Sequence, residues 1–172
     1  MQMRTVVVAS AAAVLAVGAA QSAAPPLPPA VVKAVMQAVA ICTEAGGKAD
    51  TSRAIQRGDL NGDGAVDYVL DVGAINCDGA PSIYGDREKG VLVFAGDGKG
   101  DAIEAFNDFA YGVQIEGDGQ NAKVWLTVSG SACGMPPAQD FASESFCNRP
   151  LTWNGTSRKF GFGPVSTVRM IQ

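Results

Sequence analysis

Hydrophobic positions change their spacing twice along the chain, and each change marks a different kind of segment. Residues 6–20 form a nearly unbroken apolar run rich in Ala and Val, preceded by Arg4 and followed by the small residues Ser22 and Ala23. A run of about fifteen residues falls short of the roughly 20 needed to span a bilayer. Pro25, Pro26, Pro28 and Pro29 follow it closely. The pattern is that of a secretory signal peptide over 1–22, with cleavage after Ala20 or Ser22, and 23–29 reads as an extended proline-rich linker. From 30 to 45, Val31, Val32, Val35, Met36, Val39 and Cys42 recur at steps of three and four. That spacing predicts an amphipathic helix, with Pro29 suited to its first turn and Gly46-Gly47 to its stop.

Beyond Asp50 the texture changes to short alternating segments divided by glycine turns, the signature of antiparallel hairpins. Strands are expected at 54–57, 66–72, 91–94, 102–106, 113–116, 123–129, 151–153, 159–162 and 165–171. In 66–72 the alternation puts Val66, Tyr68, Leu70 and Val72 on one face and Asp67, Val69 and Asp71 on the other. Asn154-Gly155 is the favoured pair for a two-residue type I′ turn, and long loops are expected over 75–90 and 130–150. The fold class predicted is α+β: an N-terminal helix packed on an antiparallel, hairpin-built sheet, forming one globular domain over 30–172. That length suits a single core.

Composition narrows the chemistry. The chain has no histidine, which removes Ser-His-Asp and Cys-His nucleophiles and the usual zinc sites. Loss of the leader would remove Arg4 and no acid, taking the formal charge from -4 to -5. Such acidity disfavours nucleic acid and anionic membrane as partners, and the chain without its leader has no membrane span. Four cysteines in an exported chain predict two disulfides, with three connectivities open. Proximity in sequence favours Cys42 with Cys77 and Cys133 with Cys147.

The sharpest chemical signal is the stretch 59–67, Asp-Leu-Asn-Gly-Asp-Gly-Ala-Val-Asp. Hard cations take six to eight oxygen ligands, and a loop wrapping one offers side chains from alternate positions, a backbone carbonyl and a glycine for the bend. Asp59, Asn61, Asp63 and Asp67 stand at the side-chain positions, Ala65 at the carbonyl and Gly64 at the bend. Three carboxylates within nine residues repel one another, and Ca²⁺ would offset that repulsion. Position 12, where a helical EF-hand needs a bidentate Glu, is Leu70.

Over 55–106 the order Gly-Asp-Leu-Asn-Gly-Asp-Gly, Asp-Tyr-Val-Leu, Gly-Val-Leu-Val-Phe and Gly-Asp-Gly-Lys-Gly resembles a single FG-GAP repeat. This is the blade unit of integrin alpha subunits and of many bacterial secreted proteins. The resemblance implies a structural Ca²⁺ held by Asp59, Asn61, Asp63 and Asp67 with the Ala65 carbonyl. Propellers of that family stack several units and this chain has one, so a blade-like unit is expected rather than a full propeller.

Other candidates are weaker. Gly130-Ser131-Ala132-Cys133-Gly134 places a serine on a glycine-rich turn, but its base could only be a lysine such as Lys123. Carboxylate pairs for a small secreted hydrolase could be drawn from Glu104, Asp108, Glu116 and Asp140. Phe106, Phe109 and Tyr111 read as core or sheet packing before they read as a sugar-stacking platform, and Phe141 and Phe146 as inward-facing. The loop 130–150 would be held rigid by its disulfide and could present Met135, Pro136 and Pro137. The function expected is therefore an exported, non-enzymatic calcium-binding module, periplasmic or secreted, stabilised by Ca²⁺ and two disulfides and binding a protein or glycan in an inhibitor-like manner. A carboxylate-dependent or metal-assisted hydrolase is the alternative.

Overall fold

The computed structural model describes residues 26–119 and 122–171. The expected signal peptide lies outside them. The helix forms where the three-and-four spacing predicts it: α1 spans Pro29–Glu44, with proline in its first turn, and Val31, Ala34, Ala38 and Cys42 make its buried stripe. At its end the chain reverses through Gly46, whose φ of +80° is open to glycine at little cost.

Eleven strands follow among the described residues: β1 (Lys48–Asp50), β2 (Ile55–Gly58), β3 (Asp67–Asp71), β4 (Asn76–Asp78), β5 (Lys89–Gly96), β6 (Ala102–Ala110), β7 (Gly112–Glu116), β8 (Lys123–Ser129), β9 (Phe146–Asn154), β10 (Lys159–Phe162) and β11 (Arg169–Met170). All pairings are antiparallel, as the hairpin reading requires. They form not one sheet but three. β1 pairs with β4; β2, β3, β5 and β6 make a four-stranded sheet in that order; and β10, β9, β8 and β7 make a second large sheet to which β11 adds beside β9.

The alternation within β3 explains the layering. Tyr68 and Leu70 join Val31, Ala34, Ala38 and Phe94 in a core between α1 and the four-stranded sheet. Val69, from the opposite face, joins Val91, Val93, Val124, Leu126, Leu151 and Phe160 in the larger core between the two sheets. The β2–β3–β5–β6 sheet is therefore the middle layer, apolar on both faces. In β6 an extra residue lies opposite the Val93/Phe94 step, a bulge that changes which face its later residues meet.

Both disulfides form as sequence proximity favours, Cys42–Cys77 and Cys133–Cys147. The first ties the end of α1 to β4, and a Cβ at Gly47 would strike the Cys77 sulfur, so glycine is the residue that fits beside the bridge. Closing separations of 35 and 14 residues restricts the unfolded chain by about 4 and about 3 kcal/mol in the loop-entropy account. Such bridges persist in oxidising compartments and fit an exported, stabilised module. No described helix is long and apolar enough to cross a membrane.

Several expected elements differ. The loop expected over 130–150 ends at Ser145, because Phe146–Asn154 is one strand whose Phe146 to Pro150 half pairs with β8. The expected strand 165–171 shrinks to two residues after a turn of 3-10 helix at Val165–Thr167, which Pro164 introduces. Asn154-Gly155 does not make a two-residue turn: Asn154 pairs with Lys159, leaving a four-residue loop. In it the Asn154 side chain accepts from the Thr156 and Ser157 amides, and Arg158 takes the left-handed region at φ +53°.

Candidate functional site

The acidic loop joins β2 to β3, and its conformation is built by its own side chains. Asp59, 9 % exposed, accepts from the amides of Gly62 (2.7 Å) and Asp63 (3.1 Å) on Oδ1 and from Gly64 (2.9 Å) on Oδ2. Asn61 Oδ1 accepts from the Asp63 amide at 2.9 Å, and Asp63 Oδ1 from the Ala65 amide at 2.8 Å. Each is a side chain folding back on the backbone two residues ahead, so the alternate spacing read from sequence becomes a ladder of Asx turns. Gly62 and Gly64 lie at φ +81° and +84° with open space where a Cβ would stand, so backbone conformation rather than room selects glycine there.

Asp67 stands apart. It is fully buried, and its Oδ2 accepts from the amides of Leu60 (2.8 Å) and Asn61 (3.2 Å) while Oδ1 accepts from Gly96 (2.9 Å). One side chain thus joins the start of the loop to the far end of β5. Burial pushes its carboxyl up to about 6, against the pull of the Gly96 and Leu60 amides and helped by the nearby Asp63 charge. A carboxyl raised in this way contributes its stability in full below the ordinary 3.8 and loses it as pH climbs through about 6.

The next turn packs against this loop. A Cβ on Gly98 would touch that of Ala65, and Asp97 Oδ1 accepts from Lys99 (2.7 Å) and Asp101 (3.0 Å). Those amides hold the exposed Asp97 carboxyl below its usual range, the Lys99 amide most of all. The first two Gly-Asp-Gly turns of the sequence, at 62–64 and 96–98, thereby meet at one end of the middle sheet.

The donor set of the loop consists of hard oxygens, which suits calcium chemistry. Each carboxylate oxygen has two lone pairs, so Asp59 Oδ2, both Asp63 oxygens and Asp67 Oδ1 each keep acceptor capacity beyond the bonds above. Asn61 Nδ2 donates to Asp63 Oδ2 at 3.1 Å, drawing those two side chains together. Among the described residues, no three Asp, Glu, His or Cys side chains are gathered as a group that could hold an ion. Asp67 is turned to the amides of the loop base.

The remaining candidates are dispersed. Glu116 pairs with Arg169 at 2.8 Å, Asp140 caps the short 3-10 turn at Phe141–Ser143, and Asn107 donates to Glu104 at 3.4 Å. Asp108 bonds the adjacent Phe109 amide. Ser131 and Lys123 are both exposed. Tyr111, Phe141 and Phe146 form an aromatic cluster, but Phe141 remains 45 % exposed under the Arg87 guanidinium, and Phe109 is 62 % exposed. Those two correct the inward reading; the bulge in β6 and the surface path of the loop leave them outside both cores. Sequence reading did not single out a polar cavity of about 190 Å³ lined by Asp71, Lys89 and Tyr111, whose elements meet only in the folded chain.

Compared with protein-family models, with curated proteins and with solved structures, the chain has no match in any of the three.

Proposed function

We propose that this chain is an exported, non-enzymatic module that binds one Ca²⁺ in the loop 59–67 and acts, in the periplasm or outside the cell, by binding a protein or glycan. The observation that carries the reading is the Asp67 tie, which makes the acidic loop a joint among β2, β3 and β5. Asp59, Asn61, Asp63 and Asp67, with the Ala65 carbonyl, would hold the ion. Its charge would offset the mutual repulsion of the carboxylates and the cost of keeping Asp67 ionised in a buried place. The resemblance of 55–106 to an FG-GAP unit agrees with a structural role for such an ion.

Thermal melting with and without Ca²⁺ tests this. At a Ca²⁺ concentration about 100 times the dissociation constant, binding to the folded chain alone adds about 2.7 kcal/mol, a rise in Tm of about 5 to 10 °C for a chain of this length. Asp59→Ala and Asp63→Ala should each erase the rise. An unchanged Tm in about 10 mM Ca²⁺ would sink the reading, since even a dissociation constant of about 1 mM would then add about 1.4 kcal/mol.

A further inference from the structure

At the end of the middle sheet away from the acidic loop, Asp71 closes β3, Lys89 opens β5 and Tyr111 links β6 to β7. These three line the cavity of about 190 Å³, and glycine and alanine make the rest of its wall. A carboxylate and an ammonium thus border one small space, yet no ion pair joins them. The Lys89 ammonium donates to the Arg87 carbonyl at 2.7 Å, and Asp71 Oδ1 accepts from the Gly73 amide at 2.9 Å. An ammonium has three donors and each carboxylate oxygen two lone pairs, so both groups keep capacity for a ligand. Gly73 allows them to stand so close. Its φ is outside the left-handed region, but a Cβ there would lie 2.7 Å from Lys89 Cγ and 3.1 Å from Asp71 Oδ1, and would push the lysine stem away. Tyr111 is fixed by Phe141 and Phe146, with ring centroids 6.2 and 4.9 Å from its own.

The charges at this cavity balance, so donors and acceptors rather than net charge select the ligand. The carboxylate only accepts and the ammonium only donates. Adjacent hydroxyls of a sugar do both, and bridge such a pair with every polar atom satisfied. The volume is below the roughly 300 Å³ at which drug-sized sites begin, which suits a single sugar ring. Tyr111 adds an aromatic body with a polar tip, and the small residues of the wall leave room for a flat ring. A second cavity, of about 400 Å³, shares Gly73 and Ala74 with the first and carries Arg53 and Asn76. Charge balances there too: the Asp50 carboxyl is held low by the Ser52 amide and hydroxyl and, after them, by the Arg53 charge. We propose that the two cavities bind a neutral oligosaccharide, one sugar residue between Asp71, Lys89 and Tyr111 and the next beyond Gly73 toward Asn76. The proposal rests on the binding role given above and names its ligand class; it does not involve loop 59–67.

The test titrates the isotope-labelled full chain with maltotriose, cellotriose, mannotriose and tri-N-acetylglucosamine, and follows amide chemical shifts by NMR. At least one sugar should give saturable shifts at Gly73, Ala74, Tyr111 and Gly112, with a dissociation constant of about 1 mM or tighter. Lys89→Met keeps the stem over Gly73 and removes only the ammonium. Asp71→Asn keeps an acceptor for the Gly73 amide and removes the charge. Each should weaken binding by at least about tenfold. Because the ligand is neutral, affinity should hold within about twofold as NaCl rises from about 50 to about 500 mM. An excess of free glycine, a zwitterion of the right size to span the same two charges, should not displace the sugar. No saturable shift with any of these sugars, shifts lying elsewhere, undiminished binding by Lys89→Met, or displacement by glycine would each overturn the proposal. Any of those results leaves a Ca²⁺-dependent rise in Tm standing, and an unchanged Tm in Ca²⁺ leaves sugar binding standing, so the two readings fail separately.

Discussion

Asp67→Ala is expected to lower stability by about 4 kcal/mol, the largest effect of any single substitution in the acidic loop. The carboxylate serves three amides at once, those of Leu60, Asn61 and Gly96, in a position with no solvent exposure. Each buried donor left without an acceptor costs about 1–3 kcal/mol. Relief from burying a carboxylate offsets part of that sum, because burial already pushes Asp67 up to about 6. Chemical denaturation at pH 7 measures the net effect, and a chain of this length should lose about 10 to 15 °C in Tm. Asp67→Asn keeps one acceptor but turns an NH₂ toward backbone donors, so it should fall between wild type and Asp67→Ala. A loss under about 1 kcal/mol for Asp67→Ala would mean that water replaces the carboxylate without cost.

Gly96→Ala should have a comparable effect, about 3 to 5 kcal/mol, from a different cause. A Cβ at Gly96 would strike the Val66 carbonyl oxygen and stand 3.1 Å from its carbon, backbone atoms that cannot rotate aside. Relief requires the end of β5 to move away from the residue preceding β3. That movement would also draw the Gly96 amide from Asp67, so steric strain and the lost hydrogen bond arrive together. Gly64→Ala makes the contrast: it meets nothing within 4 Å and carries only the conformational cost of φ +84°. It should cost about 1 kcal/mol. Equal effects at the two glycines, read from urea midpoints, would contradict the close-packed joint.

Much of this architecture was legible in the sequence because it depends on local periodicity. The three-and-four spacing from Val31 to Cys42 predicts α1, and the alternation through Tyr68, Val69 and Leu70 sorts the side chains of β3 onto two faces, though that each face lines a core of its own emerges only in the folded chain. Proximity chose the cysteine pairs correctly. What the sequence could not convey lies in contacts between distant segments. Gly96 looks like a turn residue, and only the folded chain brings its amide to Asp67, 29 positions earlier. Phe109 looks like core, yet its place after the β6 bulge leaves it in solvent. Asn154-Gly155 has the chemistry of a tight turn, but the register of β9 with β10 places the pair at Lys159 and lengthens the loop. In the acidic loop the donors were legible one by one, while the commitment of Asp67 to backbone amides was not.

That commitment gives the loop a purpose in the fold before any ion is considered. Asp67 and Gly96 fasten β3 to the end of β5, and the Asx turns of Asn61 and Asp63, with the bonds of Asp59 to the Gly62, Asp63 and Gly64 amides, shape the chain above them. Calcium would act on this joint by tightening a conformation the loop already prefers. The measurement that bears most directly on this claim is isothermal titration of the chelator-treated full chain with Ca²⁺, beside Asp59→Ala and Asp63→Ala. The account predicts one ion per chain for wild type, with a dissociation constant of about 1 mM or tighter, and no saturable heat for either variant. No saturable heat from the wild type, or undiminished binding in both variants, would contradict it.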